Sequence, residues 1–181
     1  CADCTEACPE GGIAFTGEFR LATRGREHLV LEDERTYALA QALDERARAL
    51  FGRSLKLRVV SAGGCGGCEV DTNALGTIGW DMGRFGIQIV ASPRHADAVV
   101  LCGPVTANME EALRKTLDAT PEPRLLIAVG ACAISGGPWA GEPEQCGGAP
   151  GAGLDVDLFI PGCPPHPLTI LDGLLRLLGK A

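Results

Sequence analysis

The stretch SLKLRVVSAGGCGGCEVD, residues 54–71, indicates which class of fold the chain adopts. Its first half is an apolar run rich in β-branched residues, which is typical of a buried strand. The run stops at a cluster of glycines that favours a tight turn. A segment with helical character follows over about residues 71–83. The order of strand, glycine-rich turn and helix predicts an α/β unit whose turn carries two cysteines three positions apart.

The same alternation continues to the end of the chain. Four more short apolar runs follow, each halted by small residues, Gly or Pro: GIQIVAS, DAVVLCG, RLLIAVG and VDLFIPG. Further segments of helical character lie at about 107–118 and 166–179. Strands that are apolar on both faces and alternate with helices predict an α/β fold with a mostly parallel sheet and helices on both faces.

Composition and charge restrict the classes of function. The chain has 181 residues, 46% hydrophobic and 22% charged, which is usual for a globular protein with one core and an appendage. The net charge of −7 argues against a nucleic-acid partner. There is no apolar run of about 18 residues and no signal peptide, so we expect a soluble, cytoplasmic chain. Peripheral attachment to the cytoplasmic membrane as part of a complex stays compatible with this.

Two segments precede the α/β part. Residues 1–30 begin with a dense group of cysteines, and residues 31–53 are expected to form a helical linker. Apolar residues at helical spacing predict a helix from about Thr36 to Phe51, and Gly52 is placed to end it. Because the chain begins at Cys1, inside a cysteine motif, we expect it to be a fragment or a processed product.

Four of the nine cysteines fall directly after predicted strands. Cys65 and Cys68 follow the strand at 55–61. Cys132 follows the strand at 125–129, and Cys163 follows the strand at 156–160. Because the carboxyl ends of parallel strands share one edge of the sheet, these four thiols are expected to gather there. An odd number of cysteines does not suit a closed set of disulfides, and such spacing more often indicates metal binding.

The residues alone leave three kinds of site open. Zinc and a [4Fe–4S] cluster both accept four thiolates, whereas a redox dithiol would use only the close pair. Zinc ligands usually come as two close pairs, and here only one pair is close. A redox dithiol would leave Cys132 and Cys163 unexplained. The glycines around the four cysteines favour the iron–sulfur cluster, since glycine-rich loops present backbone N–H groups to its sulfides.

Four motifs, in order, resemble those of one protein family: GCGGCEVD, DAVVLCGPVTANM, VGACAISGG and PGCPPHP. This family comprises the small subunit of energy-converting (group 4) [NiFe] hydrogenases and the 20 kDa subunit, or B subunit, of NADH-quinone oxidoreductases. The resemblance covers residues 54–181 and implies a flavodoxin-like domain. It also implies one proximal [4Fe–4S] cluster held against a large catalytic subunit, with ligands Cys65, Cys68, Cys132 and Cys163.

The first motif helps to separate the two branches of the family. The 20 kDa subunit of the quinone reductases typically has adjacent cysteines there, whereas this chain has Cys-Gly-Gly-Cys, as hydrogenase small subunits do. The resemblance therefore implies an electron-transfer subunit of an oxidoreductase, not catalytic alone, that partners a hydrogenase large subunit. A quinone-reducing complex and a zinc-bound scaffold without activity are the alternatives.

The segment CADCTEACPEGGIAF resembles the end of a bacterial ferredoxin motif, C-x2-C-x2-C-x3-C-P. In this comparison Cys1, Cys4 and Cys8 are the second, third and fourth cysteines, and the first lies upstream. In two-cluster ferredoxins the fourth cysteine serves the other cluster, so Cys8 is expected to bind a different cluster from Cys1 and Cys4. The resemblance implies further clusters and an electron carrier such as ferredoxin, and a structural remnant or a zinc knuckle is the alternative.

Other polar residues near the motifs carry weaker signals. Glu69 and Asp71 are candidates for a proton relay, or for carboxylates at a helix N-terminus, where the dipole favours them. His166 is expected at a surface or an interface. Arg84 and Arg94 are candidates for docking the partner.

Two further cysteines are expected to lie outside the site. Cys102 lies one position inside an apolar run, which predicts a buried core residue. Cys146, in a glycine-rich loop, is assigned no role.

Overall fold

A computed structural model describes residues 3–30, 40, 41, 43, 45–51 and 54–181. Its centre is a sheet of five strands in the order β2-β1-β3-β4-β5, and every neighbouring pair is parallel. This is the strand order of flavodoxin-like folds, and it confirms the predicted fold class. The strands are β1 (Leu55–Ser61), β2 (Ile87–Ile89), β3 (Ala98–Cys102), β4 (Leu125–Val129) and β5 (Leu158–Ile160).

The described residues form seven α-helices. They are α1 (Asp3–Ala7), α2 (Glu45–Phe51), α3 (Gly67–Ala74), α4 (Ala107–Ala119), α5 (Ala131–Ser135), α6 (Gly148–Gly151) and α7 (Pro167–Leu177). Helices α4 and α7 lie where the sequence predicts them, and α2 forms the last part of the helix predicted from about Thr36 to Phe51. Within the residues described, no helix is both long and apolar enough to cross a membrane.

The helix predicted at about 71–83 is placed differently. Helix α3 starts four residues earlier, at Gly67, and ends at Ala74. Turns follow, and then a short 3₁₀ helix over Met82–Phe85. The glycines at 76 and 79 explain the early end, because glycine is a poor helix former.

Alternate residues along each strand point to opposite faces of the sheet and build two cores. On one face, Val100 and Ile127 lie in the same buried cluster as α7. On the other face, Val99 and Leu101 lie in a buried cluster with residues of α4. Helices therefore cover the central strands on both faces, as the apolar character of those strands predicts.

The N-terminal segment covers the outer edge of β5. The N–H of Thr23 donates to the carbonyl of Phe159 (3.0 Å), and the N–H of Phe159 donates to the carbonyl of Thr23 (2.8 Å). Ala22 and Thr23 are 1% and 0% exposed. This contact protects an edge that would otherwise be open to another strand. Part of the N-terminal segment thus packs into the core of the α/β domain. The division of the chain into three segments, with boundaries after residues 30 and 53, stays a proposal.

The predicted linker helix is wrong over its described first part. Ala40, Gln41 and Leu43 are not helical, and α2 starts only at Glu45. The N–H of Ala40 donates to the carbonyl of Ala22 (2.8 Å), and the N–H of Leu43 donates to the carbonyl of Leu177 (2.9 Å). These bonds to other elements replace the helical ones. Residues 31–39 and Gly52 lie outside the described part of the chain.

The contact between α7 and the N-terminal segment gives a first prediction. Alanine is usually better than glycine inside a helix by about 1 kcal/mol. At Gly173, however, an added Cβ would lie 2.7 Å from the Cβ of Ala22 and 3.5 Å from Cδ1 of Ile160. We expect Gly173→Ala to lower the free energy of unfolding by about 1–2 kcal/mol, because overpacking outweighs helix propensity. Urea unfolding measures the change.

The matched rescue is the double variant Gly173→Ala/Ala22→Gly, which removes the opposing Cβ and should recover most of the loss. Limited trypsin digestion should also cut faster at Arg20 and Arg24 in the single variant. A single variant that is more stable than the wild type would show that Ala22 does not pack on α7.

Candidate metal centre

The four cysteines of the motifs lie on loops at one edge of the sheet. Cys65 lies in the turn after β1, and Cys68 in the first turn of α3. Cys132 is the second residue of α5, directly after β4, and Cys163 lies three residues after the end of β5. All these strands are parallel, so their carboxyl ends meet at this edge.

Gly130 is the point where three of these loops touch. Its N–H donates to the carbonyl of Ile160 (2.9 Å), which ties the end of β4 to the end of β5. A Cβ placed on Gly130 would overlap the sulfur of Cys68 and lie 3.5 Å from the carbonyl oxygen of Gly162. Gly130 has a φ of 90°, which favours glycine. The sulfur of Cys68 thus lies against the backbone that leads to Cys132 and near the residue that precedes Cys163.

Contacts of two further glycines place the other sulfurs. A Cβ on Gly67 would lie 3.6 Å from the sulfur of Cys65 and 3.6 Å from Cγ of Pro164, the residue after Cys163. A Cβ on Gly137 would lie 2.8 Å from the sulfur of Cys132. Small residues thus leave room around the thiols, and the structure brings all four cysteines to the same edge. Their role as ligands stays a prediction.

Within the group formed by Cys65, Cys68, Cys132 and Cys163, neighbouring thiols affect the pKa values of two members. Burial, together with the neighbouring charges of Glu69, Cys132, Cys65 and Cys163, raises the pKa of Cys68 to about 12. Burial, followed by Cys163 and Cys65, also raises the pKa of Cys132. Four thiolates at this edge would therefore repel one another unless a cationic group bound them.

The residues present fit an iron–sulfur cluster. Four thiols form the donor set that a [4Fe–4S] cluster takes, and the glycine backbone at 130 makes a cradle that a side chain would fill. Among the residues described, no three His, Cys, Asp or Glu side chains are grouped so that they could hold a single metal ion. A cluster of four irons does not need three side chains around one ion, since each iron binds its own cysteine.

The two carboxylates after the first pair differ in their surroundings. Glu69 lies in the first turn of α3, and its Oε1 is buried and has no hydrogen-bond partner among the described residues. Asp71 is partly buried and lies a full turn into the helix. A helix N-terminal position therefore suits Glu69 and not Asp71. A proton relay stays a prediction for both.

In the N-terminal segment, Cys4 is exposed and Cys8 is partly buried. Backbone hydrogen bonds from Gly12 and Glu10 lower the pKa of Cys8. Backbone N–H groups that surround a sulfur in this way stabilise a thiolate, which is the form that binds metal. Cys1 lies outside the described residues.

Cys102 and Cys146 do not belong to this set of four cysteines. Cys102 is 0% exposed at the end of β3, which confirms the predicted core position. The thiol of Cys146 donates to a carboxylate oxygen of Glu110 (3.6 Å), and no local sequence pattern signals this contact.

His166 is exposed and caps the N-terminus of α7, where its Nδ1 accepts from the N–H of Leu168 (3.2 Å). Its ring stands edge-on to Trp80, with centroids 5.4 Å apart. Sequence reasoning missed this pair, because the two residues are far apart along the chain. Arg84 pairs with Asp81 (3.0 Å), and Arg94 is exposed. The docking roles of both arginines stay predictions.

The opposite pKa shifts of two thiols give a second prediction. In the metal-free chain at pH 7.5, iodoacetamide should modify Cys8 well before Cys68. The lowered pKa of Cys8 raises its thiolate fraction, and the raised pKa of Cys68 leaves almost none. Raising the pH should speed the reaction of Cys68 more than that of Cys8. Mass spectrometry of timed samples measures both rates, and equal rates at pH 7.5 would contradict the burial of Cys68.

The chain is similar to several known proteins. The family described as NADH ubiquinone oxidoreductase, 20 Kd subunit, matches residues 65–177. A probable membrane-bound hydrogenase subunit, mbhJ, of Pyrococcus furiosus is 40% identical over 134 residues, which are 72% of this chain and 77% of that protein. The B subunit of NADH-quinone oxidoreductase from Bacteroides thetaiotaomicron is 40% identical over 114 residues, which are 62% of this chain and 57% of that protein.

A solved structure is similar over most of the chain. It is the membrane-bound sulfane sulfur reductase, an archaeal respiratory membrane complex, and the match has a TM-score of 0.61 and 27% identity. The match covers 76% of this chain and 75% of the other. The chain therefore belongs to the family of the 20 kDa subunit of NADH ubiquinone oxidoreductase, whose relatives are subunits of oxidoreductase complexes.

Proposed function

We propose that the chain is an electron-transfer subunit that carries one [4Fe–4S] cluster on Cys65, Cys68, Cys132 and Cys163. It exchanges electrons with the catalytic large subunit of a [NiFe] hydrogenase-type complex. The observation that supports this best is the contact of the Cys68 sulfur with Gly130, where the loops after β1, β4 and β5 come together.

The residues of the chain determine how such a cluster is held. When bound, the cluster supplies one-electron transfer at a potential that burial and hydrogen bonds adjust. Cys68 is half-buried and lies on the inner side of the group. Cys65 and Cys163 are exposed, so the outer side of the group faces the surface on which a partner subunit docks.

Glu69 is the better placed of the two carboxylates for a proton relay. It follows Cys68 directly, and its Oε1 is buried and unpaired within the described part of the chain. Asp71 would serve only as a second step further along the helix.

The N-terminal cysteines would connect the centre to an electron carrier such as ferredoxin. In this proposal Cys1, Cys4 and Cys8 serve one or more further clusters. The backbone N–H groups around the sulfur of Cys8 support such a role for Cys8. The assembled complex would lie on the cytoplasmic side of the membrane, with this chain as a peripheral component.

A quinone-reducing complex is the second candidate. It is supported by the NADH-quinone oxidoreductase subunit of Bacteroides thetaiotaomicron, which is 40% identical to the chain, as the Pyrococcus furiosus hydrogenase subunit is. In that case the same cluster would pass electrons to a quinone.

Electron paramagnetic resonance of the complete complex, purified without oxygen, separates the candidates. In a hydrogenase-type complex, hydrogen gas should produce the signal of a reduced [4Fe–4S] cluster, and argon should not. In a quinone-type complex, hydrogen should have no effect, and a quinone should reoxidise the cluster after dithionite reduction. A preparation that contains zinc and lacks iron would contradict both candidates.

A further inference from the structure

A groove of about 500 Å³ lies beside the candidate metal centre. Its walls include Gly63, Thr106, Trp139, Glu142 and Glu144. The centre uses none of these residues. The groove is therefore a separate feature of the same edge of the sheet.

Both sides of the groove lead directly to the cysteines. Gly63 lies in the turn after β1, two positions before Cys65. Trp139 ends the short 3₁₀ helix that starts at Gly137, the residue that packs on the sulfur of Cys132. A partner that approaches the centre to exchange electrons will thus meet the groove as well.

An aromatic ring and two carboxylates determine what the groove can bind. Trp139 is 61% exposed, which is unusual for a tryptophan unless it serves an interface. Nε2 of Gln145 donates to the carbonyl of Trp139 (2.7 Å) and holds this turn in place. Glu142 and Glu144 are exposed, and neither forms an ion pair with a described residue.

The backbone fixes the acidic side of the groove. The N–H of Ala107 donates to the carbonyl of Glu144 (2.8 Å), and Thr106 forms a β-bridge with Gln145. The backbone of Glu144 is therefore held beside the turn after β3. The indole of Trp139 and both glutamates line the same groove, so a bound group meets the ring and the carboxylates together.

We propose that this groove binds a lysine- or arginine-bearing segment of the catalytic large subunit. A cation over the face of an indole is attracted to the ring, and the two carboxylates neutralise its charge. An acidic segment would be repelled, and a purely apolar one would leave both carboxylates without a partner. The proposal rests on the proposed function, because it takes the partner subunit from it.

The test measures how tightly the cluster-loaded chain binds its large subunit. We expect the charge-reversal variant Glu142→Arg/Glu144→Arg and, separately, Trp139→Ala each to raise the dissociation constant about tenfold or more. Added salt should weaken the wild-type complex more than the charge-reversal variant. Iron and labile sulfide per chain should stay at the wild-type level, because these residues do not touch the cysteines.

The control variant is Asp118→Arg/Asp155→Arg, which makes the same change in net charge at the opposite edge of the sheet. Its dissociation constant should stay within about twofold of the wild type. Carbodiimide treatment of the wild-type complex should also cross-link Glu142 or Glu144 to a lysine of the large subunit. If the cation is an arginine, both carboxylates should instead be protected from modification.

Three results would overturn the proposal. One is a set of groove variants that bind as tightly as the wild type. Another is a control that weakens binding equally, since that would indicate net charge alone. The third is a chain that dimerises through Trp139, since the groove would then bind a second copy. A wild-type chain that carries its cluster but does not bind the large subunit would refute the proposed partner itself.

Discussion

Replacing Cys132 by alanine should remove about four iron atoms and four labile sulfides from each chain. Each iron of a [4Fe–4S] cluster needs one thiolate, and the loss of one exposes that iron to water. No other thiol of the α/β part is placed to replace Cys132, because Cys102 is fully buried at the end of β3 and the thiol of Cys146 bonds to Glu110. We expect the visible absorption near 400 nm to fall with the iron content.

The matched control is Cys146→Ser, which removes a thiol that bonds to Glu110 outside the group. Its iron content should equal that of the wild type. The difference in iron content between the two variants also excludes any iron that the N-terminal cysteines bind, because both variants retain those cysteines. If Cys132→Ala kept its iron while Cys146→Ser lost it, the assignment of the ligands would be wrong.

The second large effect is expected for Gly130→Ala. The new Cβ would overlap the sulfur of Cys68, and alanine disfavours the φ of 90° at this position. The backbone strain alone costs about 1–3 kcal/mol. The overlap should displace Cys68 from the group, so we expect cluster content to fall below about a tenth of the wild-type value, as for loss of a ligand.

Gly141→Ala separates strain from overlap. Gly141 has a φ of 94°, and a Cβ there would meet no atom within 4 Å. This control should lose some stability to unfolding and keep its cluster. Urea unfolding and iron analysis on both variants provide the comparison. A Gly130→Ala chain with full iron would contradict the packing of Cys68 against β4.

The sheet and its cysteine edge were predictable because each strand carries its own local signal. The run at residues 125–129, for example, is apolar throughout and is halted by Gly130. In a parallel sheet this also determines where the next residues lie, so Cys132 and Cys163 could be placed at the same edge as the first pair.

Contacts between distant segments could not be predicted in the same way. The bridge between Thr23 and Phe159 involves one residue on each side and has no periodic pattern. The bonds of Ala40 and Leu43 to other elements override a helical pattern that local spacing favoured. Likewise, α3 starts at Gly67 because the turn after Cys65 places the chain there, and local propensity favoured a later start.

The groove could not be predicted from the sequence either. Trp139 and Glu144 lie in a loop rich in glycine and proline, where composition predicts turns and nothing more. Their position follows from the hydrogen bonds of Gln145 and Ala107, which only the folded chain reveals.

The most direct test of the central claim is X-ray diffraction at the iron absorption edge from crystals of the cluster-loaded chain. The account predicts one compact peak of anomalous density in contact with the sulfurs of Cys65, Cys68, Cys132 and Cys163. Iron density elsewhere, with these four sulfurs unbound, would contradict it. So would a single ion at this edge that scatters anomalously at the zinc edge and not at the iron edge.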